Sequence, residues 1–318
     1  MQRWGFDARN KPRFRCRYCK HSTTWRRPDV TKKHLQKLFV TWLLGKQELA
    51  FYCKKYGVTR QTLYNWLQPF WLQEPTPVRT SFRNEVLIID GKYVERNASV
   101  LVACTTRKVV SWQFTQRENN ATWLAFLSTL RHIPLAIVCD GQRGMLRAIA
   151  ERYPRVIIQR CQFHVIHYCL LKLTKKPETK AAQELRCIII KISQIKTKQQ
   201  FSYWLGDYIM WRKTYDLFLK ERTYQTDNLT PTGRPKWHYT HGRLHAAHSH
   251  LKNAFPSLFQ YLRYPQIPNT TNFVEGAINS QMQEKLRQHR GLTLLQRRVL
   301  IAHFLASKQR QKPTQNFT

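Results

Sequence analysis

The sequence predicts an α/β protein. A mixed sheet covered by helices carries a helical insertion, and a small cysteine-bearing segment and a pair of turn-linked helices precede it. Three observations predict this. Val86-Leu87-Ile88-Ile89-Asp90-Gly91 and Leu135-Ala136-Ile137-Val138-Cys139-Asp140-Gly141 are short apolar runs of the kind that form buried strands, and both close on Asp-Gly. Around them strand-like and helix-like periods alternate. Far downstream, Asn269-Thr270-Thr271-Asn272-Phe273-Val274-Glu275-Gly276 reads as the entry to a further helix.

Residues 1–29 are basic and aromatic and hold Cys16-Arg17-Tyr18-Cys19. A structural zinc site takes four ligands, so one C-x-x-C is half of a zinc ribbon. Cys16 and Cys19 are candidate Zn²⁺ ligands; an unmetallated pair is the other reading, and a knuckle encoded upstream of Met1 would complete the site. His21 and His34 stand at no standard ligand spacing.

Over residues 30–73 the period turns helical. Leu35, Leu38, Phe39, Trp42 and Leu43 share one face, and a second helix is expected around 47–56. Gly57-Val58-Thr59 then makes a tight turn, with Thr59 as N-cap of a third helix over 60–66 or slightly beyond. This is helix-turn-helix grammar. Leu63, Trp66 and Leu67 should pack inward. Arg60, Gln61, Tyr64 and Asn65 should face out, as side chains that reach base edges and phosphates do. Helical hairpins that bind nothing share the pattern, so the chain's charge has to carry the DNA reading.

Glu74-Pro75-Thr76-Pro77 marks a stiff linker, because each proline disfavours helix at the residue before it. Beyond 81 the expected order is strand 85–90, strand 99–105, strand 108–115, helix 121–131, strand 135–140, helix 145–152, strand 155–159 and helix 163–173. Three meandering strands followed by alternating helix and strand allow the first and fourth strands to be neighbours, which would bring Asp90 and Asp140 together. That order matches the ribonuclease-H-like fold, expected over 81–173 and 269–291. Asp-Gly alone is a turn signal. What singles out these two is scarcity, since the chain has 18 acidic residues against 54 basic ones.

Residues 174–268 read as a helical insertion. Phe201, Trp204, Tyr208, Trp211, Tyr215 and Phe218 recur in steps of three and four. Such regularity favours a helix-packing core over a platform for unpaired bases at a cleaved DNA end. Thr230-Pro231-Thr232-Gly233-Arg234-Pro235 reads as an exposed loop. His238, His241, His245, His248 and His250 have spacings that permit a metal, but no carboxylate or cysteine stands among them, so phosphate contact or plain surface is favoured.

Asn272 is a good N-cap and Glu275 lies three residues on, so a capping box alone accounts for Glu275. Beside two aspartates, it becomes the third ligand for a pair of divalent ions. Small Gly276 and Ala277 would let its helix approach the sheet edge, and Lys285, Arg287, His289 and Arg290 would give a phosphate-binding flank. Residues 292–318 form a C-terminal helix and tail.

A formal charge of +36 over 318 residues implies severe self-repulsion unless a polyanion shares the surface. Nucleic acid is the first candidate, with an anionic membrane as rival. No run approaches the roughly 18 apolar residues of a spanning helix, and no signal-type apolar region opens the chain. A cytoplasmic, nucleoid-associated protein of bacterial type is therefore expected. The eight cysteines lie scattered, with Cys104, Cys139 and Cys187 inside apolar runs, which fits reduced, buried thiols better than a disulfide framework.

Taken together, Ile88-Ile89-Asp90-Gly91, Val138-Cys139-Asp140-Gly141, Cys161-Gln162-Phe163-His164, the 269–276 motif and His289-Arg290-Gly291-Leu292 resemble the Mutator-like family of DDE transposases, which includes many bacterial insertion-sequence enzymes. Order and spacing carry the resemblance: Asp140 follows Asp90 by 50 positions and Glu275 follows Asp140 by 135. The resemblance implies that Asp90, Asp140 and Glu275 form a catalytic triad holding two Mg²⁺ (or Mn²⁺) ions, with Cys161 and His164 beside the active site. It also implies cleavage of double-stranded DNA at element ends, strand transfer into target DNA, and a homodimer holding two ends in a synaptic complex. The single N-terminal C-x-x-C departs from the family's usual pattern. Two competing readings are a catalytically idle DNA-binding regulator derived from such an enzyme and a structure-specific nuclease on the same fold.

Overall fold

The computed structural model describes residues 1–8, 10–24, 28–78, 80–229 and 235–310. Of the loop expected over 230–235, residues 230–234 lie outside them, as does the tail from 311, while Pro235 falls in a strand. The chain divides into two compact units, Met1–Pro75 with Lys285–Phe304, and Thr76–Glu284 with Leu305–Thr318.

The first unit opens with a three-stranded antiparallel meander, β1 (Gln2–Phe6), β2 (Pro12–Arg15) and β3 (Ser22–Thr24). Cys16 and Cys19 lie in the β2–β3 turn, where Cys16 N–H donates to the His21 carbonyl at 2.9 Å and Lys20 N–H to the Cys16 carbonyl at 3.1 Å. Three helices follow, α1 (Pro28–Leu44), α2 (Leu49–Tyr56) and α3 (Arg60–Leu67). Gly57 ends α2 at φ 61°, the left-handed region glycine tolerates, and Thr59 Oγ1 accepts from Thr62 N–H at 3.2 Å to cap α3. Leu63 and Leu67 are buried as expected, but Trp66 is 37% exposed. At about 100° per residue, position 66 falls some 80° from the bisector of 63 and 67, at the rim of the buried stripe. Phe39 centres the unit's aromatic packing, with Trp71 at 5.1 Å and Phe70 at 5.7 Å between ring centroids.

The second unit is built on a five-stranded mixed sheet, β4 (Val86–Glu95), β5 (Ala98–Cys104), β6 (Val109–Thr115), β7 (Ala136–Cys139) and β8 (Ile157–Arg160), in the order β6-β5-β4-β7-β8. The β4–β5–β6 half is antiparallel and the β4–β7–β8 half parallel, so the first and fourth strands are neighbours as expected. In one respect the expectation fails: β4 does not end at Asp90. Its antiparallel partner β5 pairs with it from Ile88 to Glu95, whereas the described pairing with β7 stops at Ile88. Asp90-Gly91 is therefore mid-strand, and the reversal falls at Arg96-Asn97.

Helices α4 (Asn120–Ser128) and α5 (Arg143–Arg152) cover one face. There Leu87, Ile89, Leu101 and Ala103, alternate residues of two strands, pack with Trp123, Phe126, Leu127, Ala148 and Ile149. After β8 come α6 (Gln162–Leu173), α7 (Lys180–Lys191), α8 (Lys198–Thr214) and α9 (Asp216–Lys220), then a hairpin of β9 (Arg222–Leu229) and β10 (Pro235–Tyr239), then α10 (Gly242–Ala254). The stretch expected to be wholly helical thus contains a strand pair. Thr223, Tyr224, Trp237 and Tyr239, β-branched and aromatic residues, favour extended backbone over a helical period. The aromatic stripe turns inward: Trp204, Tyr208 and Trp211 are buried, and the two indole N–H groups donate to Ile188 O at 2.8 Å and Ala181 O at 2.9 Å. Their core takes in Val165 and Cys169 of α6 and Leu244 and Leu251 of α10. Gln159 of β8 ties the same region to the sheet, donating to Leu258 O at 2.7 Å and accepting from Tyr261 N–H at 3.2 Å. A π-helical run over Phe273–Ser280 leads into α11 (Gln281–Gln288), and α12 (Leu294–Arg310) ends the described chain.

Candidate active site

Parallel pairing sets the first two carboxylates. Val86, Leu87 and Ile88 pair with Ala136, Ile137 and Val138, a constant offset of 50 positions. Carried two residues further, the register sets Asp140 abreast of Asp90. Asp90 is 7% exposed, and Asn279 Nδ2 donates to its Oδ2 at 2.7 Å. Burial pushes the Asp90 carboxyl up to about 7; the Asn279 bond and His164 oppose that rise, while Asp140 and Glu275 add to it. Asp140 Oδ1 accepts from Gln142 N–H at 2.9 Å. Gly141 has φ +82°, and a Cβ there would run into the Arg160 guanidinium. Arg160 Nη2 donates to the Asp140 carbonyl at 3.2 Å, while its buried Nε has no hydrogen-bond partner among the described residues.

Glu275 arrives differently from the expected capping box. Asn272 is itself helical, at φ −52°, and makes no side-chain cap. Thr271 takes that place: its carbonyl accepts from Val274 N–H at 2.8 Å and Glu275 N–H at 3.1 Å, and its hydroxyl donates to Glu275 Oε1 at 2.8 Å. The glutamate is drawn to Thr271, and His164 Nδ1 lies 3.7 Å from the same oxygen. Thr271 N–H also donates to Cys161 Sγ at 3.3 Å, and its hydroxyl lies 3.2 Å from that sulfur. One hydroxyl proton serves the carboxylate or the sulfur at any moment, not both.

The Cys161-Gln162-Phe163-His164 and 269–276 motifs therefore meet, and Asn269 joins them again by donating to Gln162 Oε1 at 3.0 Å. The ligand atoms of Cys161, His164 and Glu275 all lie within 4.8 Å of one another. A hydrogen bond with Cys161 lifts His164 to about 9 against the opposing effect of burial, helped by the charges of Cys161, Glu275 and Asp90. Burial alone would raise the Cys161 thiol, but bonds from His164 and Thr271 together bring it below its ordinary value.

Asp90, Asp140 and Glu275 form no group as tight as this among the described residues. Two metal ions do not need one, since carboxylates that serve a pair of cations converge on two points rather than one. The donor set suits hard divalent ions. Three carboxylates share one neighbourhood, and burial lifts the pKa of Asp90 to about 7, with the charges of Asp140 and Glu275 adding to the rise. Cys161 and His164, with Glu275 shared between the two sets, offer donors that would suit a softer ion.

Sequence reasoning missed four side chains here: Asn279, Arg160, Thr271 and Glu118. Asn279 stands four residues after Glu275, a spacing that shares a helix face and was readable. Glu118 was not. Its carboxylate lies where a side chain on Gly91 would stand, it accepts from the buried Ser99 hydroxyl at 2.7 Å, and burial raises its pKa with a further push from Asp140. Gly91 is thus explained by a close approach rather than by a turn.

The remaining candidates lie elsewhere. Arg60, Gln61, Tyr64 and Asn65 are exposed on α3, with Gln61 Nε2 donating to Asn65 Oδ1 at 2.9 Å. Arg287 and Arg290 are exposed, but Lys285 commits its ammonium to Gly45 O at 3.1 Å and Gln288 Oε1 at 3.0 Å. Backbone N–H groups of Cys19 and Tyr18 hold the Cys16 thiol below its usual value, yet no third ligand atom joins Cys16 and Cys19 among the described residues. The histidine series gathers no three-ligand group either. His241 bonds Glu221 at 2.9 Å, His245 stacks on Tyr239 at 3.5 Å, His250 on Tyr168 at 4.1 Å, and His248 is buried.

Comparison with known proteins follows the same residues. Residues 86–230 match the family model described as "Transposase, Mutator family". That span contains Asp90, Glu118, Asp140, Cys161 and His164; Glu275 lies beyond it. The transposase for insertion sequence element IS905 of Lactococcus lactis subsp. lactis (strain IL1403) is 23% identical over 159 residues, covering 45% of this chain and 40% of that protein. The chain thus matches less than half the length of that curated relative.

Proposed function

By residues 86–230 the chain takes its place with the Mutator-like insertion-sequence transposases, and from that premise we propose that it is a DDE transposase. It cleaves DNA at element ends and transfers the freed strand into target DNA. The observation that carries this reading is the constant parallel register, which supports Asp90, midway along β4, and Asp140, just past the end of β7, acting side by side, with Asn279 bonding Asp90 from the helical run that also bears Glu275.

In this reading Asp90, Asp140 and Glu275 hold two Mg²⁺ or Mn²⁺ ions. Bound there, such ions lower the barrier to an in-line displacement at phosphorus by stabilising the attacking and leaving oxygens. Asn279 fixes the orientation of Asp90. Arg160, bonded to the Asp140 carbonyl and packed over Gly141, holds the chain at the end of β7. His164, cationic beside Glu275, offsets part of the negative charge. The antiparallel–parallel strand order supports a ribonuclease-H-like sheet. The α2–α3 turn, with its capped third helix, supports a helix-turn-helix that reads terminal inverted repeats. A Zn²⁺ ribbon completed by further ligands and a dimer pairing two ends belong to the same proposal. No helix among the described residues is long and apolar enough to cross a membrane.

The test is cleavage and joining of labelled element-end DNA with Mg²⁺, comparing the parent with Asp90→Asn, Asp140→Asn and Glu275→Gln. Loss of both products, with DNA binding kept, is expected. Cleavage at parental rate by the substituted proteins would refute the assigned residues. Cut ends without joined products would identify a nuclease, and binding without either product an idle regulator.

A further inference from the structure

The β9–β10 ribbon has no place in the reaction described above, yet its composition is unlike plain surface. Its register pairs Tyr224 with Trp237 and Arg222 with Tyr239, so these four share one face, while Thr223, Gln225, Lys236 and His238 share the other. Tyr224 is 56% exposed and Trp237 42%. Arg222 stands over the Trp237 ring at 3.9 Å, and Tyr239 meets that ring edge-on at 5.2 Å.

Two-stranded ribbons are marginally stable alone, and this one is anchored at its base. Tyr239 stacks on His245 of α10, the Thr223 and Thr240 hydroxyls bond at 2.9 Å, and Thr240 N–H donates to Glu221 O at 3.0 Å. His241 closes the base by bonding Glu221 at 2.9 Å and stacking on Phe218 at 3.6 Å. The outer rings therefore stand on a fixed stem. A tryptophan and a tyrosine left in water beside an arginine add nothing to a core, and rings beside a cation suit a ligand with flat faces and negative charge. The sequence between 222 and 239 holds three bases, Arg222, Arg234 and Lys236, and one acid, Asp227, so the segment shares the chain's cationic excess. A protein partner of ordinary acidity would want the cations, but not two exposed rings side by side.

We propose that this face binds unpaired nucleotides of a DNA strand, with Tyr224 and Trp237 stacking on bases and Arg222 paired to the backbone. Unpaired bases are required because a duplex keeps its base faces covered, whereas every single-stranded base offers one, which makes such binding tolerant of sequence. The function goes beyond cleavage and needs none of the carboxylates, so it is measurable without metal.

The experiment uses the full chain in EDTA with fluorescently labelled oligothymidylate and a duplex of equal length, and an oligonucleotide carrying 2-aminopurine to report stacking. Tyr224→Ala with Trp237→Ala should weaken single-strand binding by about five- to 100-fold and abolish 2-aminopurine quenching, while duplex affinity stays put. Trp237→Phe should keep most of both signals, which separates stacking from a folding defect. Tyr203→Ala, removing an exposed ring on α8, is the control. The proposal is overturned if the double variant binds the single strand like the control, or if it loses duplex and single-strand affinity equally. Because the assay contains no metal and reads no cleavage, failure here leaves the DDE reading untouched, and the converse also holds.

Discussion

Gly91 shows how far one residue's meaning depends on its neighbours. In sequence it completes an Asp-Gly turn signal; in the fold it is a vacancy beside Asp90 that the Glu118 carboxylate occupies. A methyl group there has to displace that carboxylate from its bond with Ser99, so Gly91→Ala should destabilise the protein by about 1–3 kcal/mol, as overpacking does. Glu118→Ala should make the same substitution nearly neutral. A double-mutant cycle by urea denaturation measures the coupling, and additivity of the two changes would contradict the close approach. Asn279 and Thr271 make the complementary point. Both stand four residues from Glu275, yet Thr271 bonds Glu275 itself while Asn279 reaches Asp90, 189 positions away in the chain.

Among elements, α8 and α10 bear the clearest consequence. Their shared core buries His248 against Trp211, with ring centroids 5.5 Å apart, and Tyr208, at 6.1 Å. Burial, helped by Arg212, Lys252 and His245 and opposed by Asp216, lowers its pKa from 6.5 to about 4. The folded state therefore holds the neutral ring, while the unfolded chain takes up a proton near pH 6.5. Unfolding binds protons between those values, so this residue's stabilising contribution is complete above about pH 6.5 and is lost as pH falls towards 4. Acid titration followed by tryptophan fluorescence should show loosening around Trp204 and Trp211 over that window, and His248→Phe should move it to lower pH. His250, lowered to about 4 mainly by burial, adds to the same trend with the same sign. The aromatic stripe itself illustrates why regular spacing pointed to packing: a face that recurs every three or four residues is the face a helix turns towards its neighbours.

For the whole molecule, charge is the governing quantity. A net charge of +36 is spread over both units, and the carboxylates that do occur cluster: Asp90, Glu118, Asp140 and Glu275 are four of the 18 acids. DNA binding by the full chain should accordingly be dominated by counterion release, weakening by about 1,000-fold or more between about 50 and 200 mM salt. A titration of duplex affinity against salt checks this, and a flat response would contradict the electrostatic account. The stacking contribution proposed for the ribbon is less sensitive to salt, so the single-strand preference should widen as salt rises.

The sequence by itself determined the strand and helix order, the neighbouring of the first and fourth strands, the capped third helix after Gly57, and the three acids as the residues to watch. These are local matters of period, turn chemistry and composition, and the chain states them directly. It misjudged what local rules cannot see. β4 continues past Asp90 because β5 lies alongside it, Trp66 falls at the rim of its helix's buried stripe, Glu275 bonds to Thr271 and lies near His164 in place of a capping box, and a strand pair interrupts the helical insertion. Tertiary structure alone decided that Glu118 fills the space over Gly91, that Arg160 lies over Gly141, and that Cys161, His164 and Glu275 meet, because each of these depends on groups far apart in the chain competing for the same few ångströms.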